Sequence, residues 1–140
     1  MSLGLSTDLR NARLQLLADA LDATSNPGTL KLYSGTFPGT GVAPTEGNTL
    51  LATLTFSLPC VDTGGIAGGV LTFDAITDAL AVADGNAAWA RAADGDDGFV
   101  LDFKSVTVAG GGGDIILNTV SITDDSPVKV ISATITEGNA

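Results

Sequence analysis

Three aspartates in one short segment are the residues that most resemble a site for chemistry. Asp94, Asp96 and Asp97 alternate with Gly95 and Gly98, and hard cations such as Ca²⁺ bind several carboxylate oxygens from one loop. The spacing departs from the helix-loop-helix calcium motif, because glycine, phenylalanine and serine occupy its fifth, sixth and twelfth positions. Asp-Gly pairs between two strands also favour a tight hairpin turn. The segment therefore predicts a turn, with a calcium site as the alternative.

A run of four glycines at positions 110–113 is the second candidate, since glycine-rich loops bind phosphate through backbone N–H groups. No Gly-Lys-Ser/Thr follows the run, and the next residue, Asp114, repels phosphate. The calcium-binding nonapeptide repeat also fails, because its aspartate would fall on Ile115 and one copy is present. We interpret the run as a flexible connection between strands.

The absence of histidine narrows the possible chemistry further. It removes the commonest general base, the Ser-His-Asp and Cys-His arrangements and the commonest metal ligand. The two glutamates, Glu46 and Glu137, lie in a loop and at the C-terminal end, so paired-carboxylate glycosidase chemistry is weakly supported. Cys60, the one cysteine, follows an apolar run and is expected to be a small buried side chain. The sequence therefore predicts a protein that is not an enzyme, with no metal and no cofactor.

Charge and hydropathy argue against two classes of partner. Sixteen acidic residues oppose six basic ones, a net charge of −10, and the cations are scattered, which disfavours direct nucleic-acid binding. No segment approaches the roughly 20 apolar residues that span a membrane, and the first residues lack a signal-peptide pattern. We expect synthesis in the cytoplasm and binding to neither nucleic acid nor membrane.

An amphipathic helix is predicted over residues 6–23, with Ser6 or Thr7 as its N-cap and Asn26-Pro27-Gly28 as its stop signal. Its predicted apolar stripe consists of Leu9, Ala12, Leu16, Leu17, Ala20 and Leu21. The stripe requires a partner. It either closes one end of the chain's own β-domain as a flap or attaches to another chain as an arm.

The remainder of the chain alternates apolar and polar residues in short runs, which predicts about seven or eight strands. The predicted runs are 29–33, 49–57, 70–75, 87–92, 99–108 with a bulge or break at Lys104-Ser105, 114–117, 120–123 and 128–136. The apolar faces are predicted to carry Leu30 and Leu32; Leu50, Ala52, Leu54 and Phe56; Leu71, Phe73 and Ala75; Phe99, Leu101 and Phe103; and Ile131, Ala133 and Ile135. Trp89 shares its face with Arg91, and we favour a core position for it over a half-exposed one.

The predicted fold class is mainly β, a jelly-roll-like β-sandwich of about seven or eight strands with one N-terminal α-helix. We divide the chain into an N-terminal helical segment, 1–28, and a single β-sandwich domain, 29–140. Residues 34–48, which contain two prolines and four glycines, are expected to form a long surface loop.

This order of segments resembles the cement, or capsid decoration, proteins of Mu-like tailed bacteriophages. The matching segments are LSTDLRNARLQLLADAL, GTLKLYSGTFP, TLLATLTF, GGVLTFDAIT, AAWARAADGDDG, GGGGDIILNTVSI and VKVISATIT. The resemblance covers nearly the whole chain and carries no active site. It implies a virion protein on the outer capsid surface, a jelly-roll domain that sits there as a homodimer and bridges neighbouring major capsid proteins.

Candidate partner contacts are expected in the N-terminal segment and in the long loop. They are Leu3, Leu5, Arg10, Arg13, Phe37, Pro38, Val42 and Pro44. Two alternatives stay open. The chain is otherwise a tail-tube, tail-terminator or head-tail connector subunit, or a glycan-binding sandwich that uses the 94–98 segment and Trp89.

Overall fold

The computed structural model describes residues 4–61 and 64–136, and within them the chain is mainly β with one N-terminal helix. The helix, α1, spans Thr7–Leu21. The strands are β1 (Thr29–Tyr33), β2 (Leu50–Thr55), β3 (Ile66–Ala67), β4 (Val70–Thr72), β5 (Ala79–Leu80), β6 (Gly85–Asn86), β7 (Trp89–Ala93), β8 (Phe99–Phe103), β9 (Val106–Val108), β10 (Ile115–Leu117), β11 (Ser121–Ile122), β12 (Pro127–Val128) and β13 (Val130–Thr136). Five of these, β3, β5, β6, β11 and β12, have only two residues.

Two sheets carry most of the strands. The first has the order β2-β1-β7-β8 and is antiparallel throughout, and the second has the order β3-β4-β13-β10-β9 with β9 and β10 parallel. The buried core is shared between them, since the ring of Phe73, beside β4, lies 5.0 Å from that of Phe56 and 6.3 Å from that of Phe103. The predicted break at Lys104-Ser105 is confirmed, because β8 and β9 belong to different sheets.

The beginning of α1 is set by local chemistry. Ser6 is the N-cap, and its Oγ accepts a hydrogen bond of 3.1 Å from the N–H of Leu9, as predicted. The helix ends at Leu21 with Asp22 as its C-cap, before the predicted stop signal at Asn26. The carboxylate of Asp22 then accepts a hydrogen bond of 3.0 Å from the N–H of Cys60, which ties the end of the helix to the segment after β2.

The helix packs through a face that shares only Leu17 and Leu21 with the predicted apolar stripe. The packed face consists of Leu14, Leu17, Ala18 and Leu21, of which all but Leu17 are at most 2 % exposed. Leu9 and Leu16 are 48 % and 69 % exposed, and Ala12 is exposed as well, so these three residues of the predicted stripe do not pack against the chain's own sheets. The reason is that α1 has apolar residues on two opposite faces, and only one can lie against β3, β4 and β8.

Most predicted strand faces are correct near the strand centres and wrong at bulges. Buried as predicted are Leu30, Leu32, Ala52, Leu54, Phe56, Leu71, Phe73, Phe103 and Ala133. Three bulges shift the alternation, at Leu51, Val100 and Ile131, because each inserts one unpaired residue and thereby moves its neighbours to the other face. As a result Leu51 is buried, Ile131 is 56 % exposed and Phe99 lies on the outer face. Ala75, beyond the end of β4, is also exposed.

Candidate functional site

The aspartate-rich segment is the turn between β7 and β8, as the Asp-Gly pattern predicts. One carboxylate oxygen of Asp94 accepts hydrogen bonds from the N–H groups of Asp96 (3.0 Å) and Gly98 (2.8 Å), and Asp97 has a left-handed backbone with φ 65°. A Cβ at Gly95 would collide with the carbonyl of Asn26, so this position requires glycine. Among residues 4–61 and 64–136, no three acidic or cysteine side chains come together in a group that could hold a metal ion.

The glycine run connects two parallel strands, β9 and β10, that lie side by side. The N–H of Gly113 donates to Thr107 Oγ1 at 3.0 Å, which closes the connection onto β9. The run is thus a strand connection, as interpreted from the sequence.

Trp89 is fully buried, which confirms the favoured prediction, but it is buried by the long loop. Its ring stacks on Tyr33 at 4.5 Å and meets the edge of Phe37, a loop residue, at 5.4 Å. Its neighbours Ala90 and Ala92 point to the other face and join the main core. The long loop of residues 34–48 therefore packs on the outer face of the first sheet.

A cluster around Arg91 fastens that loop. The Arg91 Nε and Nη2 atoms lie 2.7 Å and 3.1 Å from the two carboxylate oxygens of Asp102, in the two-pronged geometry that suits a guanidinium. The guanidinium carbon lies 5.0 Å from the centre of the Trp89 ring and 5.2 Å from that of Phe99, between the two rings' faces. Arg91 also donates to the carbonyl of Val42 at 2.7 Å.

The backbone of the long loop also donates a hydrogen bond to the carboxylate of Asp102. The N–H of Gly41 donates to Asp102 Oδ2 at 2.9 Å, and the side chain of Asn48 donates to the carbonyls of Ser34 (3.0 Å) and Thr36 (2.9 Å). Sequence reasoning did not identify this cluster. Arg91 and Asp102 lie opposite each other on β7 and β8. Their pairing could have been predicted only if the register of these two strands were known.

The candidate contacts from the sequence divide into two groups. In the loop, Phe37 and Pro38 are half-buried, whereas Val42, 48 % exposed, and Pro44 face solvent. In the N-terminal segment, Leu5 and Arg10 are half-buried and Arg13 is exposed; Leu3 lies outside the described residues, as does Glu137. The ring of Phe37 contacts that of Trp89, and the ammonium nitrogen of Lys104 lies 5.5 Å from the centre of the Phe37 ring. Phe37 is therefore a packing residue of the loop, and Val42 and Pro44 form its exposed tip.

The face of α1 that points away from the sheets carries apolar residues of the predicted stripe. Leu9, Ala12 and Leu16 are exposed on a helix whose opposite face is buried; we call these three residues the outer helix face. A contiguous exposed apolar patch on a folded protein commonly marks an interaction site. The outer helix face is thus the strongest candidate binding surface on the helix.

The single described helix is too short and too polar to cross a membrane. Comparisons with protein-family models, with curated protein sequences and with solved structures find no match to this chain.

Proposed function

We propose that this chain is a structural virion protein, a cement protein with a jelly-roll-like β-sandwich. In this proposal it binds the outer surface of a phage capsid as a homodimer and joins neighbouring major capsid proteins, and it is not an enzyme. The outer helix face is the observation that supports the proposal most, because Leu16 is 69 % exposed on a helix that is locked into the core by Leu14 and Leu21. Such a surface binds a partner without ordering a flexible segment first.

The charge of the chain supports an outward position in the particle. With a net charge of −10, the protein is repelled by packaged DNA and suits a surface that faces solvent. A small subunit that binds only the assembled shell stabilises it by mass action, so each copy needs to contribute only a few kcal/mol.

Reconstitution of particles that lack this chain tests the proposal. Adding back the purified protein is expected to raise the temperature at which the shells break, and Leu16→Lys is expected to abolish that protection. Val82→Lys is the matched control, since Val82 is 62 % exposed but lies outside the helix. Shells that break at the same temperature with and without the bound protein would refute the proposal.

The same particles separate the alternatives. A copy number of many per shell supports the cement function, whereas occupancy confined to the tail or to one vertex indicates a tail-tube, tail-terminator or connector subunit. A glycan-binding role through Trp89 lacks an aromatic platform, because that ring is fully buried.

A further inference from the structure

The open edge of the first sheet, together with the groove beside it, forms a second binding surface. We propose that β8 receives an extended segment of the partner protein as an added strand. One apolar side chain of that segment enters the groove, and a lysine or arginine of the segment faces Asp114. The inference rests on the proposed function, because a protein that joins two neighbours needs a surface in addition to the outer helix face.

The edge of β8 is open to pairing. The order β2-β1-β7-β8 places β2 and β8 at the two ends of the sheet. The β2 end is covered, since the N–H groups of Thr77 and Val82 donate to the carbonyls of Thr55 (2.9 Å) and Leu51 (2.8 Å). Within the part of the chain that the structure describes, β8 pairs only with β7. Among residues 4–61 and 64–136, no backbone group bonds to the outward N–H and C=O groups of β8, and an edge of this kind can pair with another strand.

A groove runs between β8 and the end of β13. It has a volume of about 280 Å³. Its lining residues are Leu17, Leu101, Asp102, Phe103, Asp114, Ile135 and Thr136. The lining is apolar at Leu17, Leu101, Phe103 and Ile135. The groove therefore has room for an apolar side chain.

The opposite wall of the groove is the end of β13, and one edge of that end pairs with no described strand. Ile135 and Thr136 pair with β4, but the pairing of β13 with β10 begins only at Ala133, opposite Ile115. An extended segment in the groove thus lies beside backbone on both walls. This geometry favours a strand-like occupant, whose side chains alternate between the groove and solvent.

The charge at the groove selects a basic occupant. Two acidic residues line it, but the carboxylate of Asp102 is 1 % exposed and paired with Arg91 at 2.7 Å, so Asp114 supplies the exposed charge. Asp114 is exposed. It is held in place by its backbone carbonyl, which accepts a hydrogen bond of 3.0 Å from the N–H of Thr134, and this bond does not involve its carboxylate. In a chain of net charge −10, an acidic segment would be repelled here.

The test uses the full-length protein, labelled with ¹⁵N, and a blocked eight-residue peptide that alternates valine and lysine. Binding is expected to shift the amide signals of β8 and of Ile135 and Thr136 and to slow hydrogen exchange in β8. The same peptide with a methyl group on every backbone nitrogen, and a peptide that alternates valine and glutamate, are expected not to bind. Absence of β8 shifts at millimolar peptide, or equal binding of all three peptides, would overturn the proposal.

A charge reversal at the groove tests the specificity. Asp114→Lys is expected to weaken binding of the valine-lysine peptide about fivefold at low salt and to permit binding of the valine-glutamate peptide. Asp124→Lys is the matched control, because it makes the same charge change at an exposed residue that does not line the groove. Equal affinities of the wild type and Asp114→Lys for both peptides would contradict the assignment of Asp114.

The failure of this inference and the failure of the proposed function are distinguishable. Shell protection without peptide binding at β8 refutes the open-edge surface and leaves the cement function standing. Peptide binding at β8 without shell protection refutes the cement function and supports the open-edge surface.

Discussion

Arg91 is the residue on which the contacts of the long loop, residues 34–48, converge. Its side chain is 13 % exposed and that of its partner Asp102 is 1 % exposed, so both charges are largely removed from water. A buried ion pair contributes little net stability compared with apolar residues of the same shape, but the loss of one partner leaves the other charge without compensation. The cluster therefore determines where the loop lies.

Replacement of Arg91 by alanine is expected to lower the free energy of unfolding by about 3–5 kcal/mol, because it strands the carboxylate of Asp102. Urea denaturation measures the change. Lys31→Ala provides the control, since the Lys31–Asp97 pair has side chains that are 28 % and 71 % exposed and is worth about 1 kcal/mol or less. Similar losses in the two variants would contradict the structural role of Arg91.

The buried thiol of Cys60 is expected to make the stability of the fold depend on pH in the alkaline range. Burial, with Asp22 as a second cause, raises the pKa of its thiol to about 12 from an ordinary value of 9.0. The folded state keeps the proton where the unfolded state loses it, so stability falls as the pH rises from about 9 to about 12. The slope from this group is about 1.4 kcal/mol per pH unit.

Denaturation of the wild type and of Cys60→Ala across this pH range measures that slope by difference. The alanine variant is expected to lose stability less steeply, whatever its stability at neutral pH. Parallel curves for the two proteins would show that the thiol ionises equally in both states.

At the scale of elements, the two faces of α1 have separate tasks. Leu14→Ala is expected to cost about 2–5 kcal/mol of stability, because it opens a cavity in the core, whereas Leu16→Ala is expected to change stability by about 0.5 kcal/mol or less. Thermal unfolding followed by circular dichroism compares them. A large destabilisation by Leu16→Ala would mean that the outer helix face is packed.

The packing of the long loop can be followed by fluorescence, because the chain has one tryptophan and the loop covers it. Phe37→Ala removes the ring that meets the edge of Trp89 at 5.4 Å. Water then reaches the indole, so the fluorescence emission is expected to shift to the red and acrylamide is expected to quench it more strongly. Val42→Ala, at the exposed tip of the loop, is expected to leave both measurements unchanged.

At the scale of the whole molecule, helix and sheets share one core. Leu14, Ala18 and Leu21 belong to the same buried cluster as the residues of both sheets, and Asn11 Oδ1 accepts a hydrogen bond of 2.9 Å from the N–H of Gly69 in the turn between β3 and β4. These contacts support the flap interpretation of the helix. Its exposed face still supports the binding role of the arm interpretation.

A shared core predicts a single cooperative unfolding transition. Helix signal in the far ultraviolet and fluorescence of Trp89 are expected to change at the same urea concentration, and deletion of residues 1–26 is expected to prevent folding. Two separate transitions, or a folded deletion variant, would instead establish the boundary at residue 28 that the sequence predicts.

Several features follow from the sequence because short-range chemistry decides them. Ser6 caps the helix through its own side chain, and Asp94 closes its turn onto backbone N–H groups two and four residues away. The bounds of β1 and the burial of Cys60 follow equally from local patterns. None of these depends on which distant segment lies alongside.

The rest was decided by the tertiary structure, because it depends on a competition between alternatives that are locally equivalent. Both apolar faces of α1 satisfy the helical period, and only the fit against the sheets selects Leu14 over Leu16. A bulge at Val100 turns Phe99 outward to Arg91, and it takes the register of β7 with β8 to bring Asp102 opposite that arginine. The composition and local patterns thus determine a mainly β chain with one N-terminal helix. Which surfaces stay free for a partner is determined by how the sheets pair, since pairing uses up some edges and leaves β8 open.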